Sequence, residues 1–289
     1  MKIGLYGINL GVLADREAML RVARTAEAAN FESLWTGEHV VFVDPQQPPS
    51  PLVPDTPLAD TVATLAFLAG ATERVRLASG ILLLPQRNPV VLAKELAGID
   101  VLSGGRLILG VGVGSVEGEF DAIGVPFRER GARTSEHIEV LRTLWTQEKP
   151  VFEGRFTSLS GIQSRPLPVQ QPHPPIVIGG YSDAAHRRTI TQGDGWYGFM
   201  MDVEGAAAAI RALDEAAEKV ERPDYLGPLE ITITPRGRLD RETVERFAEV
   251  GVHRLAPMPR HLMLPTDTPD AIRDDVVAFV EATAESLGL

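Results

Sequence analysis

The sequence predicts an α/β fold, a single (β/α)8 TIM barrel, on three observations. One unit, Val75 to Gly114, reads as strand, loop, helix and strand, and its crossover helix makes the two strands parallel. Apolar runs of strand length alternate with helix-period segments eight times, the number that closes a parallel sheet on itself. The chain has 289 residues, and barrels of this kind occupy about 250 residues as one domain. One domain is therefore expected over 1–289.

The elements follow in order. Ile3 to Tyr6 reads as strand one. Asp15 caps a helix running to Asn30, with Met19, Val22, Ala23 and Ala26 on its inner face. Phe31 to Thr36 is strand two and ends in Gly37-Glu38-His39. Val40 to Ala59 carries Pro45, Pro48, Pro49, Pro51, Pro54 and Pro57, which forbid a regular element and leave an irregular excursion of lid length. Asp60 caps helix two, Thr61 to Thr72. Val75 to Leu84 is strand three, with an irregularity where Ser79-Gly80 interrupts it. Asn88 caps the next helix, Pro89 opens it, Leu92, Leu96, Ile99 and Leu102 form its inner face, and Gly104-Gly105 ends it.

Arg106 to Leu109 is strand four, followed by Gly110, Gly112 and Gly114, whose bare backbone leaves room for a ligand plane. A polar connection runs to Gly131, and Thr134 to Gln147 is a helix with Ile138, Leu141, Leu144 and Trp145 inward. Val151 to Phe156 reads as a small hairpin and Gly161 to Pro175 as a proline-rich crossing. The plan thus has insertions after strands two and four and before strand five. Ile176 to Ile178 is strand five, Gly179-Gly180 a turn, and Ser182 the cap of helix five. Strand six (Gly195 to Phe199), helix six (Glu204 to Val220), strand seven (Leu229 to Thr234), helix seven (Arg241 to Val250), strand eight (His253 to Pro257) and a closing helix (Pro269 to Leu287) complete the count.

Composition narrows the function. With 44% hydrophobic and 23% charged residues the chain is an ordinary globular one. It has no cysteine, which removes disulfides, thiolate metal sites and thiol nucleophiles, and fits the cytoplasm. A net charge of -11 argues against general nucleic-acid binding. Gly4, Gly7, Asn9 and Gly11 break the apolar start, so it reads as an internal strand rather than a secretory leader, and no window reaches a membrane span.

The motifs exclude more than they assign. Gly110-Val111-Gly112-Val113-Gly114 lacks the spacing of a dinucleotide fingerprint, no Gly-Lys pair supports a P-loop, and the six histidines lack metal-ligand spacing. Gly180-Tyr181-Ser182-Asp183-Ala184 misses a nucleophile elbow at its last position. Ile178-Gly179-Gly180-Tyr181-Ser182 opens a capped helix whose free N–H groups favour an anion such as phosphate. His39 is the histidine at a strand's carboxyl end, the reactive layer of such a barrel. Glu38 beside it either orients it or solvates the rim. Arg128, Arg130 and Arg133, interleaved with Glu129, read as a self-paired surface, with Arg87 better placed to meet an anion.

Several blocks together carry a family resemblance. They are Ser33-Leu34-Trp35-Thr36-Gly37-Glu38-His39, Ser79-Gly80-Ile81-Leu82-Leu83-Leu84-Pro85 with Arg87-Asn88-Pro89, Leu102-Ser103-Gly104-Gly105-Arg106-Leu107 through Gly112, Ile178-Gly179-Gly180, and Gly193-Asp194-Gly195-Trp196. Through them the chain resembles the bacterial luciferase-like family of flavin and deazaflavin oxidoreductases, and within it the branch that uses coenzyme F420. The resemblance implies hydride transfer between the deazaflavin and an organic substrate, in a pocket backed by a bulge with a non-prolyl cis peptide at Ser79-Gly80. It implies His39 as the catalytic histidine near the hydride-carrying carbon. Gly7, Ser79, Gly80, Gly110, Gly112, Gly179, Gly180, Ser182 and Gly195 are the residues expected around the cofactor, coenzyme F420 or alternatively flavin mononucleotide (FMN). A homodimer is also implied, and the histidine spacing already gives no metal site.

The sugar-phosphate branch has a glutamate directly after its Gly-x-Gly and a tryptophan beyond the histidine. This chain has Val113-Gly114-Ser115 and Val40 to Val43 instead, so sugar-phosphate oxidation is not expected, and Glu117 and Glu119 are the acids nearby. The rival readings are an FMN-using monooxygenase, an isomerase or lyase of phosphorylated metabolites, and a non-catalytic flavin-binding protein.

Overall fold

A computed structural model describes residues 1–50, 52–259, 262 and 269–289. Pro51 of the proline-rich excursion lies outside the described residues. Eight parallel strands, β1 (Lys2–Tyr6), β2 (Ser33–Thr36), β3 (Arg76–Ser79), β4 (Leu107–Gly112), β5 (Ile176–Gly179), β6 (Gly195–Met201), β7 (Glu230–Pro235) and β8 (Arg254–Leu255), pair each with the next. The sheet closes where Ile3 of β1 pairs with Leu255 of β8. Helices α1 (Arg16–Ala28), α2 (Thr61–Ala71), α3 (Pro89–Ser103), α4 (Glu117–Ala122), α5 (Arg130–Thr146), α6 (Asp183–Gln192), α7 (Val203–Ala217), α8 (Arg241–Glu249) and α9 (Pro269–Leu287) fill the connections. This is the TIM barrel that the sequence predicts.

Short polar side chains start the helices as expected. Asp15 accepts from the N–H of Ala18, Asp60 from Ala63, Asn88 from Val90 and Val91 ahead of Pro89, and Ser182 from Ala185. Gly104, at φ 69°, takes the left-handed conformation that stops α3. Alternation along the strands separates two cores. Outward residues such as Leu5, Leu34, Leu77 and Ile178 pack with Val22, Leu65, Leu96 and Leu141 of the helices, each contributing about 1.5–3 kcal/mol through burial. Inward residues Tyr6, Trp35, Ala78, Ile108, Val177, Tyr197 and Ala256 fill the barrel itself. Trp35 and Tyr197 stack there at 5.4 Å and 13°.

The structure corrects several boundaries. Strand three ends at Ser79, and a separate pair of residues, Leu82–Leu83, rejoins β4 beyond the break. The cis peptide is Gly80–Ile81 rather than Ser79–Gly80. Ser79 is still in register with Thr36, and the Gly80 N–H still donates to the Thr36 carbonyl at 2.9 Å, so the ladder continues one peptide further than expected. Leu102 is exposed; the inner face of α3 is completed by Ser103, because ten residues after Leu92 the helix has turned away from the barrel. The polar connection after β4 contains α4, six residues long and too short to display a period, held by buried Glu119 and Phe120. Helix α5 starts a turn earlier than Thr134, and the hairpin pairs Phe152–Glu153 with Ser158–Leu159.

Candidate functional site

A cavity of about 460 Å³ opens at the carboxyl end of the barrel, a size that suits a small-molecule ligand. Its aromatic floor is Tyr6, Tyr197 and Phe199, with the Tyr6 and Phe199 rings 5.1 Å apart. One side is Gly80, Ile81 and Val113 with the turn Gly179-Gly180; the other is Leu10, Leu52, Leu58 and Met258. The polar edge is Gly37-Glu38-His39.

The chain leaving β2 is fixed by a buried amide. Asn9 accepts from the Gly37 N–H at 2.8 Å and donates to the carbonyls of Gly37 and Ala59, tying the β1 loop, the end of β2 and the end of the excursion together. His39 is aimed by this anchor and by Glu119, whose carboxylate lies 2.5 Å from Nδ1. The second Glu119 oxygen accepts from Gln86 Nε2 at 3.1 Å. Glu119 is thus buried with both oxygens engaged, which holds the Nδ1–H and leaves Nε2 as the ring atom that takes up or releases a proton. The His39 side chain remains 18% exposed.

Glu38 contrasts with its neighbour. Its carboxyl is buried, and one oxygen accepts from Arg87 Nε at 2.9 Å while the other has no partner. Burial pushes it up to about 7, and Arg87 only partly opposes this. Arg87 also donates to Asp60 at 2.6 Å, so it is committed to two carboxylates rather than available to an anion. Burial raises the Tyr6 and Tyr197 phenols, keeping both neutral, and the Tyr197 hydroxyl bonds Thr234 Oγ1 at 2.7 Å.

The glycine turn is held from three directions. Gly180 has φ +121°, and a Cβ there would press within 3.0 Å of Ala185. Trp196 Nε1 donates to the Gly180 carbonyl at 3.0 Å. The Tyr181 hydroxyl donates to the Phe199 carbonyl at 3.0 Å and accepts the Phe199 N–H at 2.7 Å. Ser182 caps α6, leaving the first N–H groups of that helix beside the turn.

Of the residues singled out in the sequence, His39, Gly80, Gly179 and Gly180 meet at the cavity. Gly110 and Gly112 lie behind it. The space they leave is taken by protein, because a Cβ on Gly110 would lie 2.0 Å from the Ser79 carbonyl and one on Gly112 2.3 Å from Ile81 Cδ1. Ser79 donates to the Gly110 carbonyl at 2.7 Å and ties the two strands. Gly7 packs against Leu262, and Gly195 lies at the amino end of β6 against the Glu230 carbonyl, at the opposite end of the barrel from the turn. Ser182 acts as a helix cap. Glu117 is exposed, while Glu119 reaches His39. The Glu119 contact spans 80 residues and had no local signal. Arg133 pairs with Glu129 at 2.9 Å, as the interleaved charges indicate.

Among the described residues no three metal-ligating side chains converge, and no helix is long and apolar enough to cross a membrane. Residues 8–286 match the family model described as luciferase-like monooxygenase. An uncharacterized protein of Mycobacterium tuberculosis is 29% identical over 293 residues, covering 98% of each chain. An FMNH2-dependent dimethylsulfone monooxygenase of Pseudomonas putida is 38% identical over 154 residues, covering 52% of this chain and 42% of that one. Among solved structures, an F420-dependent secondary alcohol dehydrogenase in complex with an F420-acetone adduct superposes with a TM-score of 0.75 at 17% identity, over 98% of each chain.

Proposed function

The chain belongs to the luciferase-like monooxygenase family, which places it among oxidoreductases and monooxygenases, and from that premise we propose that the cavity holds coenzyme F420 and transfers hydride between it and a small organic substrate. The observation that carries this reading is the His39–Glu119 pair at the edge of a largely apolar cavity. A proton-handling group beside a dry wall is what two-electron transfer to or from a C–O or C–N centre requires.

The residues present fit such a group. Gly80 and Gly179-Gly180 present backbone rather than side chains to the cavity, and α6 points its amino terminus at the turn, where a phosphate is stabilised by N–H groups and the helix dipole. When bound, the cofactor supplies the two-electron chemistry. The chain's own residues do the rest. Ile81 fills the space left by Gly112 and Gly179 and stiffens the wall behind the ring position. Tyr6, Tyr197 and Phe199 exclude water from the floor. His39 holds or moves a proton at Nε2 while Glu119 fixes its orientation through Nδ1.

FMN is the second reading, favoured by the 38% identity to the FMNH2-dependent relative over about half of this chain. Fluorescence titration with coenzyme F420 and with FMN separates the two. Tighter saturable binding of the deazaflavin is expected. The reverse preference moves the protein to the oxygen-using branch, and binding of neither defeats the redox reading.

A further inference from the structure

We propose that the substrate is a neutral, predominantly apolar molecule whose reacting carbonyl or hydroxyl lies at the His39 edge; this rests on reading the cavity as the redox site. The argument is the asymmetry of the walls. The side formed by Gly80, Gly179 and Gly180 is backbone, and suits a flat ring. The other side is Leu10, Leu52, Leu58 and Met258, aliphatic side chains delivered by three different segments. Those segments are tied in place. Leu10 bridges Leu58, the Gly11 N–H donates to the Pro57 carbonyl at 2.8 Å, and the Ala59 N–H donates to the Asn9 carbonyl at 3.0 Å. The apolar side is therefore a built wall rather than a chance exposure.

The polar side chains that border the cavity are Glu38, His39, Ser115 and the phenols of Tyr6, Tyr181 and Tyr197, and the Tyr181 and Tyr197 hydroxyls are already bonded within the protein. Among the described residues no lysine or arginine lines it. The nearby cations are already engaged: Arg87 with Glu38 and Asp60, and Arg130 with the carbonyls of Gly114 and Phe127. Glu38, the carboxyl at the rim, is itself poorly compensated. A carboxylate or phosphate on the substrate would lose its hydration against leucine side chains with no lysine or arginine in return, and the one histidine there is already paired with Glu119. A ketone or secondary alcohol loses little, because its one oxygen meets the polar edge and the rest of it meets the wall.

The test is equilibrium binding of a matched pair, 2-acetylnaphthalene and 2-naphthoate, which differ by a methyl group in place of a carboxylate oxygen. Binding is measured on the full chain alone and with saturating F420 or FMN. The ketone is expected to bind at least about tenfold tighter, a difference set by desolvation of the carboxylate. Leu58→Arg, at a half-buried position on the wall, is expected to shrink or invert that ratio. Equal or tighter naphthoate binding overturns the proposal. So does binding of neither probe, or a folded Leu58→Arg protein with an unchanged ratio. The wild-type ratio decides by itself should the variant not fold. Loss of F420 and FMN binding with the ratio intact defeats the cofactor reading and leaves the substrate class standing.

Discussion

At the amino end of the barrel a guanidinium is fully buried and fully answered; at the carboxyl end a carboxyl is buried and left half answered. Arg254 has no exposed side-chain surface, donates to both oxygens of Glu32 at 2.7 and 2.8 Å, to Glu230, and to Thr232 at 3.1 Å, and Lys2 covers the other Glu230 oxygen. Burial raises Glu32 and Glu230, but Arg254, together with Ser33 and Arg76 at Glu32 and Lys2 at Glu230, outweighs it and holds both below the ordinary carboxylate range. Glu38 has Arg87 at similar distance, yet it ends near 7, and one of its oxygens and one of Gln86 have no partner. The two ends differ in closure: two cations answer two carboxylates at one, while at the other Arg87 alone answers Glu38 and Asp60. A closed network supports a fold, whereas an open one bordering a cavity is poised for chemistry or ligand.

The largest effect is expected from opening the closed end. Arg254→Met strands Glu32 and leaves Glu230 to Lys2 alone, and should cost up to about 3–5 kcal/mol in urea unfolding at pH 7, with F420 or FMN affinity unchanged after correction for the folded fraction. The pH dependence has a definite sign. Glu32 and Glu230 have lowered pKa values in the folded state, so their contribution is present above about 4.5 and is lost as pH falls through the folded values. Arg254→Met should flatten that acid limb. An unchanged unfolding midpoint would mean that the network is decorative.

The converse change at the open end should leave the fold alone. His39→Ala is expected to lower turnover by roughly 10²–10⁴ while shifting the urea midpoint little, and to weaken cofactor binding less than it slows hydride transfer. Glu119→Gln should fall between wild type and His39→Ala in rate, because it keeps a hydrogen-bonding group at Nδ1 and removes the charge. Unchanged turnover in both variants would remove His39 from the reaction.

Glu38 allows a smaller, pH-resolved comparison. Its folded pKa, about 7, is above the ordinary 4.5, so the folded state binds more protons between those values. Stability from this group is complete below 4.5 and declines as pH rises through 7, opposite in sign to the Arg254 cluster. Glu38→Gln should flatten the decline between pH 5 and 8, which for this shift amounts to at most about 3 kcal/mol. Urea midpoints at the two pH values measure it, and an unaltered slope in the variant assigns the decline to other groups.

The comparison also shows what the sequence could carry. Helix caps at Asp15, Asp60, Asn88 and Ser182, the strand alternation and the eightfold count are local signals, and the barrel follows from them. His39 was legible because it lies just beyond the carboxyl end of a strand. Both charge networks were not. Glu32, Glu230 and Arg254 meet only when β1 closes on β8, and His39 meets Glu119 only because α4 folds over the rim. The glycines after β4 were legible as bare backbone, but the sequence could not say that Ile81 would occupy the space, since that depends on the backbone beyond Gly80.

The smallest effect is expected where the open end borrows a strand. Pairing between β5 and β6 stops at Gly179 and Tyr197, yet β6 continues to Met201, so Phe199 would face the turn with its N–H and carbonyl unpaired on that side. The Tyr181 hydroxyl answers both groups with one oxygen, while its ring stays half exposed. Tyr181→Phe deletes that oxygen and admits water in its place, so the cost should be only about 0.5–1.5 kcal/mol. Its consequence is local. The Phe199 amide should exchange with solvent faster, and because the Phe199 ring forms the cavity floor, substrate KM should rise more than kcat falls. If the Phe199 amide keeps its protection in the variant, pairing with β7 alone holds the floor, and the carboxyl end is less adjustable than its unpaired groups imply.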